Sequence, residues 1–526
     1  MANSSSKRTL DLKSIEHAYD HLEYNAGISQ NTHPCQIGGR ASLFGLVAPL
    51  VPQAKILEIG CAMGQNLISI ATSMPEAICI GVDISPKQIE HARKEAQALQ
   101  LTNIVFIEAN IMDLVGELGT FDYIICHGFY SWVPDDIRQN LFSVLHQFLS
   151  PLGLLYISYN TLPGWSESHM IRSLVQSISP GLNWHADQIP MIDQWITSLP
   201  ASSIKSRYEN LWFNHFRNQP EFYKRHGIFA EFNTPRLISE LVAEAQEHGL
   251  HYITDSSLKR DFPIHKYLDV STQSKHLARI DRIQLLDFAQ YTTFRSSIFS
   301  KQAPYYGGNE LNLTSLPRLS VISKLIEVDP HSSNQNHEDY PSSMARYFQN
   351  RDQSLTRPIC LDMPDTIDIM THANLSWPHP LLLKDYLQTL ADDTTKGRVM
   401  SQLITLLIHD YVDLYIDVPS AGTSHKLEIT DKLYCPQLSN YNLHYMRHEQ
   451  KHLTIQGLHH PTHAIRDHPW FPFADLFDGK HTCDTLLNEV KNHRHYQQST
   501  LASMNESEQK KSLKNGLVLF RRQGFL

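Results

Sequence analysis

The sequence predicts an α/β protein built on a doubly wound sheet, and three observations support this fold class. Apolar strand-like runs alternate with amphipathic helix-like runs five times between residues 55 and 165. Two glycines, Gly60 and Gly64, follow the first of these strands, and an acid, Asp83, ends the second. Such alternation is typical of a parallel sheet with helices on both faces, in which a ligand lies beyond the carboxyl ends of the strands.

The first strand and the turn after it, KILEIGCAMG at residues 55–64, predict a nucleotide-type site. Glu58 stands inside the strand end, where it can meet a positively charged ligand, and the two glycines let the backbone approach that ligand closely. The stretch is not a phosphate-binding loop, because no Lys-Ser or Lys-Thr pair follows the second glycine. It reads E-x-G-x-A-x-G and therefore also differs from the G-x-G-x-x-G dinucleotide motif.

The next strands extend the same site. We predict a helix at 65–74, a strand at 77–83, a helix at 86–99 and a third strand at 103–111. Asp83 is placed to accept hydrogen bonds from both hydroxyls of a ribose. Asn110 ends the third strand, and its amide oxygen can accept a hydrogen bond from an adenine amine.

The fourth and fifth strands are predicted at 121–134 and 153–165, around a helix at 136–149, and both end in aromatic loops. Beyond them the pattern becomes mainly helical. The segments predicted there are a helical stretch at 166–230, a helix and strand within 234–255, a helix at 281–299, a polar linker at 332–356, two helices and a strand between 379 and 417, and a capped helix at 478–490.

Composition excludes several function classes. The chain has 526 residues and a formal net charge of -9 without a long basic run, which argues against general nucleic-acid binding. Its seven cysteines show no C-x-x-C spacing, which indicates a reduced compartment and no structural zinc. No signal-type segment and no run of about 18 apolar residues occurs, so we expect a cytoplasmic protein without membrane insertion. We interpret the cluster His459, His460, His463 and His468 as solvated loop histidines and expect no metal.

Four segments resemble those of a known family. They are the lead-in from Tyr24 to THP at 32–34, EIGCAMGQN at 58–66, HGFYSWVP at 127–134 and SYNTLPGW at 158–165. Together they resemble the class I S-adenosylmethionine (SAM) methyltransferases that carry a methyltransferase regulatory domain, the family of the rickettsial protein-lysine methyltransferases. The resemblance is strong over residues 15–165 and looser after them. Gln65 and Asn110 depart from the glycine and aspartate that are commoner in this family.

The resemblance implies a Rossmann-like class I methyltransferase domain followed by mainly helical and winged-helix-like C-terminal regions. It also implies SAM as the cofactor, a protein substrate that bears the acceptor lysine, and a homodimer. The predicted cofactor contacts are Tyr24, Thr32, Glu58, Gly60, Cys61, Ala62, Gly64, Asn66, Asp83, Ile84, Asn110, Ile111 and His127.

The expected domains follow from the same reading. They are an N-terminal lid segment at 1–52, a SAM-binding Rossmann core at 53–165, a helical insertion at 166–230, a region at 231–330 that completes the core and includes the regulatory part, and a C-terminal α/β, winged-helix-like domain at 331–526. We expect the residues from about 360 onward to fold as a separate unit that is not needed to hold the cofactor.

A lysine acceptor must lose its proton before it attacks, because only the neutral amine is a nucleophile. Its ordinary pKa of about 10.4 makes the neutral form cost on the order of 4.6 kcal/mol at pH 7. Burial and the nearby sulfonium both lower that pKa, and aromatic walls tolerate the cation that enters. The candidates for these walls and for proton transfer are Tyr130, Trp132, Tyr159, Trp165 and His127, with bulk water as the alternative to His127.

Two other functions remain open at this point. One is methylation of oxygen or nitrogen on a small molecule, which a closed pocket would favour. The other is a catalytically silent SAM-binding scaffold, which a blocked cofactor turn would favour. An open aromatic cleft would favour the protein-lysine substrate.

Overall fold

The computed structural model describes residues 28–328 with gaps at 115, 179–187, 220–223, 231, 264–272 and 309, together with 346–350, 358–376, 380–417 and parts of 483–512. Tyr24, most of the polar linker at 332–356 and the four histidines between 459 and 468 lie outside the described residues. No helix in the described part of the chain is both long enough and apolar enough to cross a membrane.

A seven-stranded sheet forms the centre of the molecule, in the order β3-β2-β1-β4-β5-β7-β6. β7 runs antiparallel to its neighbours β5 and β6, and the other neighbouring pairs are parallel. Its strands are β1 Lys55–Ile59, β2 Ile78–Asp83, β3 Ile104–Glu108, β4 Phe121–Cys126, β5 Leu149–Asn160, β6 His251–Asp255 and β7 Phe294–Ser300.

Helices cover both faces of this sheet. Ile56 and Tyr123 belong to the core on one face, while Leu57 and Ile124 belong to the core on the other, as strand alternation requires. The helices before and between these strands are α1 Pro34–Leu43, α2 Gln65–Ser73, α3 Pro86–Ala98, α4 Asp135–Phe148, α5 Leu162–Ile178, α6 Gln188–Ser198, α7 Ser203–Glu209, α8 Ile238–Glu247 and α9 Arg279–Gln290.

The α/β fold class is confirmed, and the structure corrects three element boundaries. The fifth strand begins at Leu149 and ends at Asn160, so residues 162–165 open α5 instead of ending a strand. The helix predicted at 281–299 stops at Gln290, where Tyr291 takes a left-handed backbone with φ 50°, and Phe294–Ser300 is the seventh strand. That strand pairs on both edges and is buried along nearly its whole length, but four of its seven residues are Arg or Ser, so it lacks the apolar pattern that predicts a strand.

Helices α5, α6 and α7 and two π-helical segments form the insertion after the fifth strand. The π-helical segments are Asn210–Phe216 and Lys224–Ile228. These elements share a small hydrophobic core of their own, which includes Ile171, Ile192 and Trp212. The insertion is therefore a packed unit beside the main sheet.

The remaining elements form two three-stranded sheets and their helices. The sheet orders are β11-β10-β9 and β12-β8-β13. The elements are β8 Ser320–Ser323, β9 Leu325–Val328, β10 Arg346–Asn350, β11 Ile359–Leu361, α10 Pro364–Ser376, β12 Leu381–Leu382, α11 Leu383–Gln388, α12 Asp393–Ile408, β13 Val412–Tyr415 and α13 Cys483–Asn492. The winged-helix-like arrangement stays a prediction.

The predicted boundary at residue 331 does not separate two cores in the described chain. One hydrophobic cluster includes Ile37 of α1, Ile56 of β1, Leu325 of β9, Leu403 of α12 and Val412 of β13. Helix α1, which the sequence placed in a lid segment, is buried along its whole length in this cluster. Among the described residues only 28–33 lie ahead of α1, so this short segment is what remains of the predicted lid.

Candidate active site

The turn between β1 and α2 has the backbone geometry that its glycines require. Gly60 and Gly64 have φ of 69° and 78°, in the left-handed region that favours glycine. A Cβ atom on Gly64 would lie 2.6 Å from the ring of Phe106, and one on Gly60 would lie 2.8 Å from the ring of Phe129. Ala62 also has a positive φ, 49°. The turn is therefore confined between two aromatic rings and tolerates no larger residue at either glycine.

Glu58 is a buried carboxylate with one oxygen free for a ligand. The amide nitrogen of Asn66 donates a hydrogen bond to its Oε1 at 2.7 Å. Its Oε2 is buried and has no hydrogen-bond partner among the described residues. Burial raises the pKa of Glu58 to about 8, although Asn66 and the backbone of Leu67 oppose the rise. A cation bound at Oε2 would satisfy this oxygen and stabilise the charged form.

A short segment ahead of α1 completes this side of the site. Asn66 Oδ1 accepts a hydrogen bond from the backbone N–H of Ser29 at 3.1 Å and lies 3.0 Å from the Thr32 hydroxyl. The same Asn66 therefore connects Glu58 to the segment 29–32. Thr32 and Asn66, both predicted as cofactor contacts, therefore lie within hydrogen-bond distance of each other. Tyr24, the third predicted contact on this side, lies outside the described residues.

Asp83 lies at the end of β2 and is held by the backbone of the site. Its Oδ2 accepts from the N–H of Ala62 at 2.9 Å, and its Oδ1 accepts from the N–H of Ser85 at 3.0 Å. The Ala62 bond ties Asp83 to the glycine turn. A carboxylate in this position is a suitable acceptor for a ribose hydroxyl, which stays a prediction.

The other predicted cofactor contacts surround the same strand ends. Cys61 and Ile111 are buried, and Ile84 and Asn110 are half-buried. Asn110 Oδ1 accepts from the backbone N–H of Met112 at 3.1 Å, which orients its amide. These positions are compatible with an adenine contact, which stays a prediction.

His127 follows β4 and is oriented by two hydroxyls of β5. Its Nδ1 lies 3.1 Å from Ser158 Oγ and 3.2 Å from Tyr156 Oη. Ser158 Oγ already accepts from the N–H of Gly128 at 2.8 Å, so its own proton is free to be donated to Nδ1. Tyr156 donates its own proton to Ser296 Oγ at 2.9 Å, so Tyr156 Oη can accept from Nδ1–H, and the two contacts together are compatible with either tautomer of the ring. Nε2 makes no hydrogen bond with the described residues. Burial lowers the pKa of His127 to about 4, and the ring is therefore neutral near pH 7.

Two of the predicted channel aromatics lie in the core, which is a correction. Tyr130 is fully buried, and its hydroxyl donates to Glu244 at 2.6 Å. Tyr159 is also fully buried, and its hydroxyl oxygen lies 3.2 Å from Ser297 Oγ. Its ring packs edge-to-face against the ring of Tyr130. The strand direction turns Tyr159 toward the face opposite Tyr156 and Ser158. Neither ring can line an open channel in this arrangement.

The other two predicted aromatics lie in the elements that follow β4 and β5, and their contact with an acceptor stays a prediction. Trp132 is half-buried, and its Nε1 has no hydrogen-bond partner among the described residues. Trp165 is nearly buried in the first turn of α5. Asn160 donates to Asn233 at 3.1 Å and so connects the end of β5 to the segment after the insertion, rather than bonding locally in its turn.

Sequence reasoning missed three residues that hold the site together. Ser29 contacts Asn66, while Tyr156 and Ser158 orient His127. A signal for the last two was present, because Tyr156, Ser158 and Asn160 alternate along the fifth strand and must share one face. No comparable pattern marks Ser29, whose role depends on a contact 37 positions along the chain.

Comparison with known proteins agrees with this geometry. A family model described as a methyltransferase domain matches residues 56–153, and a model described as a predicted methyltransferase regulatory domain matches residues 221–301. The first range contains the glycine turn, Asp83 and His127. The second contains α8, β6, α9 and β7, so it includes the two strands that complete the central sheet. Fold and site thus define a class I SAM methyltransferase domain.

Relatives extend the similarity beyond this domain. Rickettsia prowazekii protein RP789 is 34% identical over 331 residues, and the aligned region covers 60% of this chain and 60% of that protein. Protein RP028 of the same organism is 32% identical over 240 residues, which cover 44% of this chain and 94% of that protein. The chain belongs to the family of class I SAM-dependent methyltransferases with a methyltransferase regulatory domain that is represented by these rickettsial proteins. SAM is the cofactor of this family.

A solved structure shows the same fold over nearly the full length. PKMT2 from Rickettsia typhi, in complex with AdoHcy, matches with a TM-score of 0.76 and 22% identity. The match covers 96% of this chain and 99% of that chain. At this identity the likeness concerns the fold.

Proposed function

We propose that this chain transfers the methyl group of SAM to lysine side chains of a protein substrate. The observation that carries this proposal is the desolvated environment at His127, beside the carboxyl ends of β4 and β5. Burial there lowers the pKa of the imidazole to about 4, and the same burial would lower the pKa of an entering lysine amine. The neutral amine that must attack the methyl group is thereby favoured.

The residues of the cofactor side fit SAM. Bound SAM supplies a methyl group on a positively charged sulfur. The free Oε2 of Glu58 would accept from the ammonium of its methionine part, and Asp83 would accept from the ribose hydroxyls. The glycine turn lets the backbone approach the ligand, since neither Gly60 nor Gly64 has a side chain to exclude it.

His127 would orient groups in this site by hydrogen bonding rather than act as a base. Burial lowers its pKa to about 4, which makes the neutral imidazole a weak base near pH 7, and its Nδ1 is already engaged by Ser158 and Tyr156. We therefore assign removal of the lysine proton to water before the amine enters the desolvated site. Nε2 can orient the acceptor or the cofactor by hydrogen bonding.

The extent of the fold supports a macromolecular acceptor. The match to PKMT2 covers 96% of this chain, so the two proteins share the insertion and C-terminal elements as well as the cofactor domain. The resemblance of the loops HGFYSWVP and SYNTLPGW to protein-lysine methyltransferases points in the same direction.

Transfer of radiolabelled methyl from SAM into protein and metabolite pools, followed by mass spectrometry of the labelled product, tests the proposal. We expect a mass increase of one methyl group on lysine. The rate should rise by up to about tenfold per pH unit from pH 7 to above 8, because the neutral fraction of the amine rises by that factor. A base with the lowered pKa of His127 would instead produce a flat profile over this range.

The matched control is Glu58→Gln, which should weaken cofactor binding and lower transfer together. Label found only on oxygen or on free metabolites would refute a lysine acceptor and identify the small-molecule alternative. SAM binding without any transfer, across protein and metabolite pools, would identify a scaffold.

A further inference from the structure

The segment that closes one side of the cofactor site is connected to the C-terminal part of the chain. Asn31, which lies between Ser29 and Thr32, accepts a hydrogen bond from Arg40 of α1 at 3.3 Å. The other guanidinium nitrogen of Arg40 donates to Gln36 at 2.8 Å. The nitrogen that donates to Asn31, Nη2, also lies 3.6 Å from a carboxylate oxygen of Asp413 in β13. Arg40 thus bridges the segment 29–32 and a strand more than 370 residues further along the chain.

The C-terminal side of this bridge is a group of charges that is buried at Asp413 and partly exposed at Asp410 and Lys259. Lys324 lies 3.0 Å from the same oxygen of Asp413 and 2.9 Å from Asp410, which also contacts Lys259 at 3.2 Å. The side chains of Arg40 and Asp413 are nearly inaccessible to solvent. Buried charges whose partners are fixed have few alternative positions, since moving one leaves another uncompensated. The position of Arg40 is therefore determined in part by β13.

A second set of contacts attaches α1 to the same strand. Gln36 donates to the hydroxyl of Tyr415 at 2.7 Å, and the backbone N–H of Ile416 donates to the carbonyl of Cys35 at 2.9 Å. A Cβ atom on Gly39 would lie 3.1 Å from the carbonyl oxygen of Leu414, so a glycine is what allows the strand to come this close.

A small cavity separates this junction from the cofactor site. Its lining includes Ser29, Asn66 and Tyr415, so the residue that binds Glu58 and a residue of β13 border the same space. Beside this cavity, a chain of contacts leads from Asp413 to Arg40, from Arg40 to Asn31, and from the segment of Asn31 to Asn66.

We propose that Arg40 is a positioning residue for the cofactor, through which strand β13 holds the segment 29–32 and thereby the Asn66–Glu58 pair that binds the amino-acid end of SAM. This inference rests on the proposed placement of the SAM ammonium at Glu58. A partner or substrate that displaces β13 therefore weakens SAM binding. By thermodynamic linkage, bound SAM stabilises the packing of β13 against α1 and lowers the affinity for that partner by the same factor.

Two mild substitutions in the full chain test the inference. Asn31→Ala removes the bond between Arg40 and the segment without leaving a buried charge unpaired, and Tyr415→Phe removes only the oxygen that accepts from Gln36. We expect each to raise the dissociation constants of SAM and S-adenosylhomocysteine about fivefold or more, the lower end of usual coupling between sites. The dissociation constant of 5′-methylthioadenosine, which lacks the amino-acid end, should stay unchanged.

Arg40→Lys should raise the same two dissociation constants as Asn31→Ala. It keeps the positive charge near Asp413 but lacks the planar guanidinium that donates to both Asn31 and Gln36. Arg398→Gln is the matched control, since Arg398 makes an ion pair with Asp365 at the solvent-accessible surface of the same C-terminal region. It should leave all three dissociation constants unchanged.

Equal weakening of all three ligands, or no change in any of them, would overturn the inference. Glu58→Gln separates this failure from failure of the proposed SAM placement. If Glu58→Gln selectively weakens the two ligands with an amino-acid end and Asn31→Ala does not, the link through Arg40 is wrong and the placement stands. If Glu58→Gln produces no selective loss, the placement itself is wrong.

Discussion

The cofactor side and the acceptor side of the site are held together in different ways. On the cofactor side, Glu58 and Asn66 are eight positions apart, and Asp83 binds the backbone N–H of Ala62 across 21 positions. On the acceptor side, His127 depends on Tyr156 and Ser158, which are 29 and 31 positions away on another strand. The glycine turn and the first residues of α2 organise the first side, and side chains of β5 organise the second.

This difference teaches which aromatic residues can contact an acceptor. Tyr130 follows β4 as His127 does, and Tyr159 lies in β5, yet both rings belong to the core on one face of the sheet. Tyr156 and Ser158, which contact His127, lie on the opposite face of β5. Three effects would break or sharpen the comparison between the two sides.

The largest effect is expected from Asp83→Ala. Hydrogen bonds to charged groups contribute about 1.5–3 kcal/mol each, so loss of the two ribose contacts should weaken SAM binding by about 100-fold or more. Isothermal titration calorimetry measures this change. Glu90→Ala, which removes a carboxylate from an exposed ion pair with Lys94 on α3, should bind SAM as the parent chain does. Unchanged affinity in folded Asp83→Ala would refute the ribose assignment.

A smaller effect, on stability rather than on turnover, is expected from Tyr130→Phe. The substitution removes the hydroxyl that donates to Glu244 and keeps the buried ring. We expect a loss of about 1 kcal/mol in the free energy of unfolding, from one hydrogen bond, with kcat and KM for the acceptor unchanged. Chemical denaturation and steady-state kinetics on the same sample separate the two quantities.

Trp132→Phe supplies the contrast for that measurement. Trp132 is half-buried in the element that follows β4, so its replacement should raise KM for the acceptor more than it changes stability. A fall in kcat for Tyr130→Phe with an unchanged free energy of unfolding would indicate that Tyr130 lines the acceptor channel and would contradict its assignment to the core.

The smallest effect is the release of protons when SAM binds. Burial raises the pKa of Glu58 to about 8, so most free sites carry a proton on this carboxyl at pH 7. A bound cation lowers that pKa, so binding should release up to about one proton per site at pH 7 and few above pH 9. SAM affinity should correspondingly rise with pH up to about 8.

Calorimetry in two buffers with different ionisation enthalpies counts these protons. The amino group of SAM has an ordinary pKa of about 8 and binds as an ammonium, so it takes up part of a proton near and above that pH. Glu58→Gln isolates this uptake, because residue 58 then has no titratable group. Equal proton release from the parent chain and from Glu58→Gln would contradict a neutral Glu58 in the free site.

Most of the central sheet could be predicted from the sequence, because β1 to β4 and the helices between them follow hydrophobic periodicity and clear end signals. Ser85 and Pro86 open α3 as expected, with the Ser85 hydroxyl accepting from the N–H of Gln88. β7 could not be predicted, since its strand character comes from pairing with β5 and β6. Four of its seven residues are Arg or Ser, so it lacks the apolar pattern that predicts a strand.

The sequence by itself determined the cofactor half of this protein: the glycine turn, Glu58, Asp83 and their order along the strands. These features depend on backbone conformation and on contacts between near neighbours, which residue types specify directly. Only the tertiary structure decided that Tyr130 and Tyr159 are core residues, that His127 is held by Tyr156 and Ser158, and that α1 packs against β13. Those outcomes depend on which strand faces meet and which distant segments pack together, and long-range packing is not encoded in any one stretch of the chain.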